Sequence, residues 1–178
     1  GNAGGTNALR TQGKAFAAGV MAIDILKGVI PPLFFPLLVL PGVALDESIN
    51  RDWLTYSCGL AAVIGHCYPI WFGFKGGKGA ATALGVVAAA APILLVPAFF
   101  AWVFTLKLLG FVGLATIAAG LVMPIFVAIM GSPFSWSLFG FTLLLGMFVL
   151  YTHRSNVQRF WSRQSSVDVK PWIDTGRG

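Results

Sequence analysis

Apolar residues in this chain run in long blocks, and polar residues collect in a few short segments between them. The first block extends from about Ala15 to Leu45, interrupted by Asp24 and Lys27 and dotted with Pro31, Pro32, Pro36 and Pro41. It is long enough for one crossing helix, which the prolines should end or kink. Trp53 to Phe72 is a second block, broken only by His66. From Ala80 to Thr152 there is one charged residue, Lys107, and the stretch divides into runs of about 80–106, 108–131 and 134–152. A helix crosses a bilayer core in about 20 residues. The pattern therefore predicts an all-α, polytopic integral membrane helical bundle, a single domain over residues 1–178 with cytoplasmic Gly-rich loops and a cytoplasmic tail over 165–178.

Composition agrees and removes competitors. Hydrophobic residues make up 57% of the 178 and charged residues 10%, where a soluble domain carries about a quarter charged. A disordered chain, a disulfide-stapled module and an ordinary soluble domain are excluded. Cys58 and Cys67 share one apolar run without metal-ligand spacing and read as buried thiols; no metal is expected, and no cofactor. The net charge of +6 does not point to nucleic acid, because the aromatics lie in apolar runs and not among the basic residues. Residues 1–14, the loop 73–79 and the tail from His153 are basic, whereas 46–52 is acidic. Short Lys/Arg-rich loops stay in the cytoplasm, so the three basic segments belong on the cytoplasmic face of a membrane, with anionic ligands or lipid headgroups as partners. An even number of crossings must then separate residues 80 and 152. Splitting the first run at Pro92 and Pro97 allows four; two, with a long tilted helix, is the rival count.

Chemistry is available in three polar segments. The first, Gly1 through Arg10, holds Asn2, Gly4, Thr6, Asn7 and Arg10: glycines for close backbone approach, neutral donors, and a guanidinium suited to phosphate. A terminal loop capping a helix with Thr6 or Asn7 explains the same residues. The second runs from Gly73 to Thr82. Its Gly76, Gly77 and Gly79 suggest an anion nest of backbone N–H groups ahead of a helix N-terminus, with Lys75 and Lys78 adding charge and Thr82 a hydroxyl. It lacks the Gly-Lys-Ser/Thr of a Walker A loop. The third places His153 and Asn156 three apart on one helix face, flanked by Arg154 and Arg159, which suit lipid phosphates. Within the membrane, Asp24 and Lys27 are three apart and read as a structural pair, ligand contact being the alternative. His66 is a satisfied buried histidine or a support for the Gly-rich loop.

Together these segments resemble the PlsY family, the bacterial acyl-phosphate:glycerol-3-phosphate acyltransferases. The family's first motif matches Gly1 through Arg10, continuing with Asp24-Ile25-Leu26-Lys27-Gly28. The second is similar to Gly65-His66-x-x-Pro69 followed by Phe74-Lys75-Gly76-Gly77-Lys78-Gly79 and Ala81-Thr82, and the third to His153-Arg154-x-Asn156-x-x-Arg159. Order and spacing agree over about residues 1–164. The family's first span, and a Ser and Arg of its first motif, would precede Gly1, so the expectation is a chain truncated relative to the family. Ser165 stands where the family often carries a Glu.

The resemblance implies transfer of a fatty acyl group from acyl phosphate to the sn-1 hydroxyl of glycerol 3-phosphate, giving lysophosphatidic acid and phosphate, with no obligatory protein partner. The Gly-rich loop would bind the phosphate of glycerol 3-phosphate, and the first segment the second phosphate and the acyl carbonyl. His153, Asn156, Asn7 and Lys78 would be catalytic, with Asp24, Lys27, His66 and Arg154 in support. None of the three segments holds a carboxylate, so a His/Asp dyad is excluded and the base is His153 or a substrate phosphate oxygen. Within the three polar segments no Ser or Cys has a His neighbour, which predicts direct attack without an acyl-enzyme. The competing reading is a small transporter or lipid-binding protein, which calls for an internal repeat that the sequence lacks.

Overall fold

The computed structural model describes residues 4–39, 41, 50–130 and 135–162. Asn2, the acidic Asp46 and Glu47, and the tail with Ser165 lie outside the described residues. Helix α1 spans Gly5–Phe34, starting ten residues before the apolar block and correcting the expectation of an irregular first segment. Gly4, not Thr6 or Asn7, stands at its N-cap. Gly13 interrupts α1 with φ 85° and ψ 179°, a backbone open to glycine and strained for other residues. The chain folds back there, so that a Cβ on Gly5 would lie 2.5 Å from Met21 Cγ. Pro31 and Pro32 occupy the last turn, and a 3-10 turn, Phe35–Leu37, ends the element as the prolines predicted.

Helix α2, Arg51–Cys67, starts at Asn50, whose side chain accepts the Asp52 N–H at 2.7 Å. It returns antiparallel to α1: Arg51 donates to the Pro36 carbonyl at one end, and His66 meets Asp24 at the other. Pro69 and a 3-10 turn, Ile70–Phe72, separate it from the Gly-rich loop. The long apolar region forms α3 (Ala80–Ala90), a 3-10 turn (Pro92–Leu94), α4 (Leu95–Leu109), α5 (Val112–Ile129) and α6 (Trp136–Thr152). The run breaks at Pro92 only. Pro97 falls in the first turn of α4, where a missing N–H has no helical acceptor to lose. After α6 the chain bends by 51° at His153 into α7, Arg154–Trp161.

Among the described residues three helices are long and apolar enough to cross a membrane, within Gly5–Leu37, Pro92–Leu109 and Val112–Ile129; the bent pair α6–α7 makes four. Helices α3 and α4 form an in-and-out pair. The first starts at the loop, and the second ends beside α7, where Phe111 meets Phe160 with ring centroids 6.0 Å apart. With 11 residues, α3 rises about 16 Å and covers roughly half of the bilayer core. Among the described residues four helices lie between residues 80 and 152, and a Lys78–Asn156 contact brings the two ends of the stretch together.

The core lies between α2, α3, α5 and α6, where Val63, Val86, Leu94, Phe141 and Leu145 are fully buried and the Tyr56 ring stacks on Phe141 at 4.7 Å. Cys67 is buried, but Cys58 is only half-buried, because its α2 position turns toward the rim. Helix α1 crosses α3 at Gly28, where a Cβ would overlap the Thr82 carbonyl oxygen. Small residues allow such approaches where lipid removes any hydrophobic drive to pack. The outer surface is apolar: Phe100, Phe104, Leu108, Ile125 and Ile129 are 61–72% exposed, as a lipid-facing surface requires.

Candidate active site

The Gly-rich loop hangs from the last turn of α2. Gly76 N–H donates to the Cys67 carbonyl at 3.1 Å and Gly77 N–H to the His66 carbonyl at 3.3 Å. These bonds correct the expected nest. The Gly76 and Gly77 N–H groups are spent on α2 and do not face an anion. Donors for an anion remain in the first turn of α3, opened by Gly79 at φ 80°, because the leading N–H groups of a helix have no helical acceptors.

The support beneath the loop is charged. Asp24 is buried and accepts from Lys27 Nζ at 2.7 Å, and His66 Nδ1 lies 3.3 Å from the same carboxylate oxygen. The expected Asp24–Lys27 pair is present, and His66 ties α1 to the turn that carries the loop.

Lys78 leaves the loop toward the end of α6. Its Nζ donates to Asn156 Oδ1 at 2.6 Å and lies 3.3 Å from Ser155 Oγ. Thr152 Oγ1 lies 2.9 Å from the Lys78 carbonyl oxygen. Burial, with the Arg159 charge adding to it, holds Lys78 below the ordinary lysine range. His153 is buried, and its Nδ1 is 2.9 Å from the Val149 carbonyl oxygen. A carbonyl only accepts, so Nδ1 carries the proton and Nε2 keeps the basic lone pair. Burial pushes His153 down to about 4; the Val149 hydrogen bond opposes that shift and the Lys78 charge adds to it.

The second and third segments therefore meet, across 78 positions of sequence. The first lies at the same end of the bundle. The fold-back at Gly13 returns Gly5 to Met21, one turn before Asp24, which marks the level of His66. Among the described residues no hydrogen bond or ion pair joins it to Lys78 or His153. Gly4 and Asn7 line a shallow pocket closed by Phe16 and Val20, while Thr6 and Arg10 are exposed. Lys75 is exposed too. Thr82 is fully buried, its hydroxyl without a partner, which places it behind the loop and not on the phosphate-facing surface the sequence suggested. Arg154 lies 4.2 Å over the Tyr151 ring and donates to that residue's carbonyl.

A model of the family described as glycerol-3-phosphate acyltransferase matches residues 1–163. The chain belongs to this family. It is 37% identical to the glycerol-3-phosphate acyltransferase of Aquifex aeolicus over 159 residues, 89% of this chain and 77% of that relative. It is 39% identical to the enzyme of the same name from Sodalis glossinidius over 166 residues, 93% and 73% of the two chains. Among solved structures it is similar to PlsY (YgiH), an integral membrane glycerol 3-phosphate acyltransferase. The glycerol 3-phosphate form superposes with a TM-score of 0.81 at 33% identity, covering 98% of this chain and 82% of that one. The lysophosphatidic acid form gives 0.77 at 36%, covering 92% and 78%.

The family resemblance and the all-helical membrane fold expected from sequence are thereby borne out, and the chain is an enzyme of bacterial inner-membrane type. Three contributors escaped the sequence reading. Thr152 and Ser155 contact Lys78, and Gly113 of α5 leaves the space that the Asn156 amide occupies, since a Cβ there would overlap Nδ2. Nothing local marks them, because each acts on a residue distant in sequence.

Proposed function

We propose that the chain transfers a fatty acyl group from acyl phosphate to the sn-1 hydroxyl of glycerol 3-phosphate, giving lysophosphatidic acid and inorganic phosphate, with its site facing the cytoplasm. Family membership carries the coarser part, acylation of glycerol 3-phosphate. The Lys78–Asn156 contact carries the rest: it joins a phosphate-suited helix N-terminus to a polar His/Asn face at one end of an apolar bundle. Such a place suits one water-soluble phosphate and one lipid-like phosphate.

In this reading Lys78 and the N–H groups of the first turn of α3 hold the phosphate of glycerol 3-phosphate. Arg10, Asn7, Thr6 and Gly4 hold the donor phosphate, and Asn156 positions the Lys78 ammonium that meets the acceptor. The hydroxyl oxygen attacks the acyl carbonyl carbon, and the bond from that carbon to the phosphate oxygen breaks. A group with a pKa of about 4 is a weak proton acceptor near pH 7, where a phosphate dianion, with a second pKa of about 6, is better matched. His153 Nε2 therefore accepts a hydrogen bond from the hydroxyl and aims it, and a phosphate oxygen takes the proton. Phosphate leaves readily, so no acyl-enzyme is needed.

Purified enzyme supplied with glycerol 3-phosphate tests the donor. Turnover with acyl phosphate, and none with acyl-CoA or an acyl carrier protein thioester, is expected. Turnover with either thioester alone would overturn the proposed donor.

A further inference from the structure

Thr152 closes α6, and its hydroxyl has three neighbours. The Lys78 carbonyl oxygen is 2.9 Å away, the Val149 carbonyl oxygen 3.1 Å, and His153 Nδ1 3.2 Å. A hydroxyl has one proton to give. The Val149 carbonyl already receives the His153 backbone N–H at 3.0 Å and its ring Nδ1–H at 2.9 Å. The Lys78 carbonyl precedes the N-cap of α3, so no helical N–H reaches it. The proton of Thr152 therefore goes to Lys78.

We propose that Thr152 is a positioning residue, a latch that holds the Gly-rich loop against the α6–α7 junction and so sets the reach of Lys78. Lys78 is fastened at both ends, its carbonyl by Thr152 and its ammonium by Asn156 and Ser155. All three partners come from one stretch of five residues, so the loop and the His153/Asn156 face keep one register. With the carbonyl released, the loop pivots on α2 and the ammonium no longer meets the phosphate at a fixed distance. The inference rests on the phosphate-binding role given above to Lys78.

The test compares Thr152→Val and Thr152→Ala with Thr152→Ser, using Lys78→Ala as reference, in steady-state kinetics with acyl phosphate and glycerol 3-phosphate. Losing one hydrogen bond of ordinary strength predicts a rise of about 5–10-fold in KM for glycerol 3-phosphate in the Val and Ala variants. KM for acyl phosphate should not change, and Ser should restore the parent value. Val and Ala variants that match the parent, beside an impaired Lys78→Ala, would remove the latch and leave the reading of Lys78 intact. A Ser variant as impaired as Val would make the role one of packing and would also overturn the latch. An unchanged KM in Lys78→Ala would overturn the phosphate-binding reading and the latch with it.

Discussion

Lys78 Nζ donates to the side-chain oxygen of Asn156 at 2.6 Å, and that bond orients the Asn156 amide. With Oδ1 turned to the lysine, Nδ2 points into the space left by Gly113 at the start of α5. Removing the amide in Asn156→Ala deletes a hydrogen bond to a charged group, so kcat/KM should fall roughly 10–100-fold. Gly113→Ala should do comparable damage although it replaces neither partner. Its Cβ would lie 2.6 Å from Asn156 Cγ, and displacing a catalytic group by about 1 Å can cost 10²-fold. Equal kinetics for Gly113→Ala and the parent enzyme would show that the amide does not need this position.

Arg159 should influence the reaction through Lys78. Its charge adds to burial in disfavouring the charged ammonium. As pH rises, Lys78 should lose its proton earlier than an ordinary lysine, and KM for glycerol 3-phosphate should climb on that alkaline limb. In Arg159→Gln one of the two causes is gone, so the limb should move to higher pH. The difference should shrink as salt is added, because a Debye length of about 10 Å at 0.1 M screens exposed charges. A limb that stays in place would separate Arg159 from the lysine.

His153 should remain neutral well below the range of a free histidine. Its folded value is about 4 against about 6.5 in an unfolded chain. Between those values the unfolded state binds more protons, so the contribution of His153 to stability is complete above pH 6.5 and declines as pH falls toward 4. The sequence holds only two histidines, so NMR titration of the His66→Asn variant reports His153 alone. A midpoint near 6.5 would show an accessible ring and return His153 to the role of general base. In kinetics, His153→Ala should lower kcat by about 10² for an aiming role, toward 10⁴ if it takes the proton itself.

The sequence made the spans legible because a bilayer imposes long apolar blocks, and the three polar segments because membrane proteins expose little else that is polar. What escaped it depends on distance or on backbone geometry. Residues 5–12 looked like part of a terminal loop because glycines bound them at Gly4, Gly5 and Gly13, although the intervening residues support a helical turn. Pro97 looked like a breaker, but its effect depends on where the helix starts. The loop N–H groups of Gly76 and Gly77 looked available for an anion until the end of α2 claimed them. Thr152 and Gly113 were invisible because their partners, Lys78 and Asn156, lie 74 and more than 40 positions away.

Two glycines of the same loop should therefore respond in opposite ways to substitution. Gly76 sits against backbone: a Cβ there would overlap the His66 carbonyl oxygen and lie 2.7 Å from the Cys67 carbonyl oxygen and from Pro69 Cδ. None of those atoms belongs to a flexible side chain. Gly76→Ala must lift the loop off α2, breaking the bond to Cys67 and losing roughly 1–3 kcal/mol of stability to overpacking. The first turn of α3 should shift with it, raising KM for glycerol 3-phosphate by about tenfold or more. Gly73 has a left-handed φ of 60° and nothing within 4 Å of its would-be Cβ. Asn tolerates that backbone, so Gly73→Asn should leave both the melting temperature and KM near the parent values. If the two variants behave alike, the loop is not held by its seat on α2, and the anion would have to be bound by the loop's own backbone after all.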